Sequence, residues 1–142
     1  MAIATYDDAN LLLRLYDLRR EDKMRAARDW FVKNARFASM EEMQKVCPPG
    51  SQENAYYRQV VSYWDMTASF VTSGVLNAEL FFQSNRELVL VWVRVEKLIP
   101  QVREAFNDPS AFRNLERVAK LYIEWMNAQG PDVYSAFVSR IK

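Results

Sequence analysis

The stretch RELVLVWVRVEKLIPQVREAF, residues 86–106, decides the fold. Its valine-rich run Leu88 to Val93 suits either a buried strand or a buried helix, because a short apolar run carries no period of its own. A lone strand would have no pairing partner elsewhere in the chain. The apolar residues also continue as Val95, Leu98, Ile99, Val102 and Phe106, at helical spacing. The stretch therefore predicts a helix from Arg86 to Phe106, apolar nearly all round in its first half. Pro100 should kink it by removing one backbone hydrogen bond and crowding the preceding turn.

The flanking segments carry helical punctuation. Thr5 with Asp8 three residues on forms a capping-box pattern, opening a helix predicted from Tyr6 to Ala35. Leu12, Leu15 and Tyr16 are its first buried residues, and Ala27, Trp30, Phe31 and Ala35 its last. The charged stretch between them has alternating signs and is expected to be solvated, supported by the i,i+4 pairs Glu21–Arg25 and Arg25–Asp29. Ser39 caps a short helix ending near Val46, and Cys47-Pro48-Pro49-Gly50 stops it. Ser51 opens a helix closed by Gly74, with Asn54 at the usual Glu/Gln position of a capping box. Asn77 should cap a short helix, Ala78 to about Gln83, and Asn85 the one after it. Asp108-Pro109 should begin a helix closed by Gly130, and Pro131-Asp132 a final short one. The sum is all-α: a single-domain helical bundle over residues 1–142, with four long helices and two or three short accessory ones.

Composition excludes more than it selects. Three glycines in 142 residues, half of which are apolar or aromatic, suit a helical globular chain. Nineteen basic and eighteen acidic residues nearly cancel. That balance argues against sequence-independent nucleic-acid binding, which needs net positive potential, and against a polybasic membrane anchor. A nucleic-acid site along Arg19–Arg36 would have to show strongly salt-dependent affinity. The opening residues have no basic region followed by a sufficient apolar run, so no signal peptide is expected. No run approaches the roughly 20 residues needed to span a bilayer, which points to a soluble, cytoplasmic chain.

The chain has no histidine and one cysteine, Cys47. Histidine-based triads and Glu-x-x-His di-iron sites are thereby excluded, as are an intrachain disulfide and a thiolate zinc site. Glu41, Glu42 and Glu53 sit at helix starts, where acids suit the dipole without any metal. Cys47 lies at a helix C-terminal end, which disfavours a thiolate, and has no base. No catalytic residue, metal ligand or cofactor is assigned.

Residues 57, 60, 61, 64, 68, 71 and 75 make one apolar stripe on the helix after Ser51, and 56, 63 and 70 a second. Between them run Arg58, Ser62, Asp65, Ser69 and Thr72. Arg58 and Asp65 lie two turns apart on this polar seam and could share a partner or ligand. Trp30, Trp64, Trp92 and Trp125 fall on apolar stripes, one in each long helix, which suits core packing. A binding site for a ligand or partner would use Arg58, Asp65, Trp92 and Arg103, between this helix and that of Trp92.

From Tyr56 to Lys120 the chain resembles a bacterial family known only as a domain of unknown function. The residues that carry the likeness are the aromatic-rich helix ending in Gly74, then Val75-Leu76-Asn77-Ala78-Glu79-Leu80, Trp92, Ile99-Pro100 and Arg103. Asn77 replaces the family's usual aspartate. The resemblance implies a small helical fold and no assigned activity; some members carry an N-terminal membrane helix, which is not expected here.

The leading expectation is a non-enzymatic protein-interaction or regulatory module, self-associating through the apolar helix around Leu88 to Val93. The alternative is a small-ligand-binding protein or unorthodox enzyme built around Arg58 and Asp65.

Overall fold

A computed structural model describes residues 2–142 as nine helices, with no strand among the described residues. They are α1 (Tyr6–Arg20), α2 (Asp22–Asn34), α3 (Met40–Val46), α4 (Gln52–Thr72), α5 (Ala78–Phe82), α6 (Glu87–Val95), α7 (Ile99–Ala105), α8 (Arg113–Gln129) and α9 (Val133–Ile141). The caps explain most boundaries. Thr5 and Asp8 bond reciprocally at the start of α1. The side chains of Ser39, Ser51 and Asn77 accept the third-residue amides of α3, α4 and α5. Gly74 closes α4 with φ +86°, a conformation costly for any residue with a Cβ.

Two of the four long helices expected are intact, α4 and α8, and the other two are divided. The predicted helix from Tyr6 to Ala35 breaks at Glu21, whose backbone leaves the helical region (φ −59°, ψ 146°). The Glu21 carboxylate accepts the Met24 amide and caps α2. No apolar stripe spans this charged stretch, so nothing holds the two axes in line. The pairs Glu21–Arg25 and Arg25–Asp29 do not form. Asp29 instead meets Lys33, and Arg28 crosses to Glu87 on α6.

The deciding stretch is helical, though interrupted rather than kinked: residues 96–98 form a turn between α6 and α7. Pro100 then sits in the first turn of α7, where its missing amide donor is not needed. Asn85 is not a cap; its Nδ2 donates to the Phe81 carbonyl, and its Oδ1 accepts from Arg19. The helix expected at Asp108-Pro109 starts at Arg113, because the Asp108 side chain closes a tight turn on Ser110 instead.

α4 is the central element, packed against α2, α8 and α6. Its buried residues Tyr57, Val60, Val61, Trp64 and Ala68 lie on the first predicted stripe and Tyr63 on the second, whereas Thr67 is buried off both and Val75, expected on the first, is exposed. Each fully buried Val, Leu or Phe contributes roughly 1.5–3 kcal/mol relative to exposure. On α1, Leu15 is buried, whereas Tyr16 lies at the surface beside the Arg19 and Arg20 guanidinium groups.

Leu88, Val89, Val91 and Trp92 are buried, and Leu90 and Val93 pack against the core. The run expected to mediate self-association is therefore spent inside the fold. Arg94 follows it, 7% exposed, and forms no ion pair with any described residue. Its Nη1 donates to the carbonyls of Phe31, Val32 and Ala35, and its Nη2 to that of Ile141. The negative ends of α2 and α9 thus supply its counter-charge.

Candidate functional site

The polar seam of α4 divides into two jobs. At its C-terminal half, Asp65 Oδ1 accepts the Leu115 amide at 3.0 Å, and Thr72 donates to Asn114 Oδ1 at 2.8 Å. Asp65 is thus the cap of α8, supplied by a neighbouring helix, because Phe112 at the N-cap position has no capping side chain. Phe112 is also held at φ +57°, a left-handed conformation uncommon for a bulky residue. Arg103 of α7 completes this clamp. Its Nε donates to the Ala111 carbonyl and its Nη2 pairs with Glu116 at 2.8 Å. The Arg103 and Lys120 bonds hold the Glu116 carboxyl below its ordinary pKa.

At its N-terminal half the seam borders an apolar groove of about 750 Å³. Met40 and Met43 of α3, Tyr57 and Val61 of α4, Val102 of α7, and Phe106 and Phe112 in the segment after it form its wall. Phe106, the last of the apolar residues at helical spacing, is 71% exposed and lines the groove. Gln44, Asn54, Arg58, Gln59 and Ser62 supply the polar edge, and Arg58 is the one charged side chain among the lining residues.

Local sequence places that arginine. Asn54, expected to imitate a capping-box glutamate, instead donates its Nδ2 to the Cys47 carbonyl, which turns its Oδ1 toward Arg58 Nε at 3.0 Å. The Arg58 terminal nitrogens have no acceptor among the described residues.

The four candidate residues are therefore not one constellation. Asp65 and Arg103 fix the clamp that presents Phe112, Arg58 lies on the groove, and Trp92 is buried on α6. Sequence reading missed Met40, Met43, Phe106 and Phe112 as a group. The i,i+3 methionine pair in a short helix was the only local signal.

No carboxylate lines the groove. Cys47 is fully buried, its thiol donates to the Met43 carbonyl, and burial raises its pKa, so it stays protonated. No group of three metal-ligating side chains occurs among the described residues. No described helix is long and apolar enough to cross a membrane. Of the basic stretch considered for nucleic acid, Arg19 bonds to Asn85 and Arg28 to Glu87.

No curated protein and no solved structure matches the chain. One family model, described as a domain of unknown function (DUF4760), matches residues 4–125 and so contains the whole stretch, 56–120, on which the resemblance rested. The chain belongs to the DUF4760 family.

Proposed function

We propose that this chain is a non-enzymatic binding module whose site is the groove between α3, α4 and α7, taking a small, largely apolar ligand. The carrying observation is the groove itself. Its volume lies within the range of about 300–1,000 Å³ in which ligand pockets fall, and its wall is aromatic and methionine-rich with a few polar groups at one edge. Methionine side chains adapt to varied apolar shapes, so the partly buried Met40 can close on a ligand beside the core residue Met43. A panel of small apolar compounds should shift the NMR signals of Met40, Met43 and Phe106 and leave those of α9 unmoved. If no compound perturbs the groove, the reading fails.

A second reading, a protein-interaction module, rests on a different observation. Gln59 and Ser62 also border a shallower groove of about 520 Å³ lined by Leu18, Met24, Tyr63 and Met66. The two grooves flank α4 and together could accept the apolar face of a partner's amphipathic helix. A photo-crosslinking residue at Gln59 should then capture one protein, and the Phe106→Glu variant should lose it.

A further inference from the structure

Resting on the ligand-binding reading, we propose that the ligand is a single-chain aliphatic carboxylate whose charged end is read by Arg58. The chemistry of the lining points this way. An apolar wall of Met40, Met43, Val61, Val102, Phe106 and Phe112 suits an alkyl chain, and the absence of any acid among the lining residues leaves Arg58 without a counter-charge there. Its Nε is held by Asn54 Oδ1, and Asn54 is itself anchored to the Cys47 carbonyl. That arrangement orients the guanidinium while leaving Nη1 and Nη2 free, the edge that meets a carboxylate in a paired, charge-assisted contact.

Arg58 is exposed, so its charge is already hydrated and no desolvation penalty holds it in the free protein. A ligand carboxylate at the mouth remains partly hydrated as well, while the chain leaves water entirely. Affinity then comes mainly from the apolar wall, and the choice of head group from Arg58.

The test is titration of the full chain with dodecanoate, dodecanol and dodecyltrimethylammonium, each kept below micelle formation, by calorimetry and NMR. Dodecanoate should bind one per chain, about tenfold more tightly than dodecanol, and the ammonium more weakly still. Arg58→Gln should reduce dodecanoate affinity to that of dodecanol and leave dodecanol unchanged. Arg117→Gln, on the exposed face of α8, should change neither. Phe106→Ala should weaken dodecanoate and dodecanol alike. Equal affinity for dodecanoate and dodecanol, or an Arg58→Gln variant that keeps the difference, overturns the carboxylate assignment while the groove stands as a ligand site. If no amphiphile perturbs the groove, the carboxylate assignment is overturned. The ligand-binding reading falls with it only when the uncharged apolar panel is also silent.

Discussion

Arg94 is the side chain whose loss should be felt most. It is buried and donates to carbonyls at the ends of two helices, so its removal leaves those of Val32, Ala35 and Ile141 short of a donor, while that of Phe31 keeps the Ala35 amide. Hydrogen bonds to charged groups are worth roughly 1.5–3 kcal/mol, so Arg94→Met should lower the unfolding free energy by about 3 kcal/mol in urea denaturation. Arg94→Lys should recover only part of that, since one ammonium cannot span both helix ends. Gly74 makes a smaller and cleaner case. A Cβ there would meet nothing within 4 Å, so Gly74→Ala tests the positive φ alone and should cost about 1 kcal/mol. Both sites show how unevenly single residues speak in sequence. Gly74 announces itself as a terminator, whereas Arg94 reads as one charge within an apolar run. Its partners stand some sixty residues before it and almost fifty after it.

Helices in this chain begin where local chemistry provides a cap, and where it does not, a neighbour supplies one. α8 is the clearest example, its first turn being held by Asp65 from α4. Asp65→Ala should cost about 1 kcal/mol, the usual effect of losing a cap, and α8 amides should exchange faster with solvent. The partly buried, paired contact of Arg28 with Glu87 ties α2 to α6, both guanidinium bonds lying between 2.8 and 3.1 Å. A double-mutant cycle on the pair should give a coupling of about 1 kcal/mol that shrinks with added salt. The caps at Thr5, Ser39, Ser51 and Asn77 were legible because each side chain serves its own next turn. The break at Glu21 and the late start of α8 were not. There, a side chain chose between two local bonding patterns, and tertiary geometry settled the choice.

The molecule as a whole should be insensitive to pH near neutrality and sensitive on either side. Without histidine, no side chain has its ordinary titration between about pH 5 and 8, so the melting temperature should be flat there. The carboxyls of Asp8, Glu21, Asp108 and Glu116 all lie below their ordinary values. Respectively, the backbone amides of Thr5 and Asn77, those of Lys23 and Met24, the Ser110 hydroxyl and amide, and the side chains of Arg103 and Lys120 favour the ionised forms. A depressed folded pKa stabilises the fold above the unfolded value and ceases to do so as pH falls through the folded one. Thermal unfolding should therefore move to lower temperature below about pH 4.5. Burial raises Tyr57, Tyr63, Tyr122 and Tyr134, with Tyr122 pushed up to about 12. Their stabilisation is complete below about pH 10 and is lost as pH rises further. The tyrosinate absorbance of these four should thus appear together with unfolding in alkaline titration.

By itself the sequence determined the all-helical class, the two apolar stripes of α4, the four serviceable caps and the exclusion of histidine chemistry. Each of these follows from residue period or from bonds made within one turn. Only the tertiary structure decided that Leu88 to Val93 is interior, that Asp65 caps another helix and that Arg58 borders a groove with Met40, Met43, Phe106 and Phe112. Those outcomes depend on which helices meet, and side chains forty or more residues apart share a surface only after the core has packed.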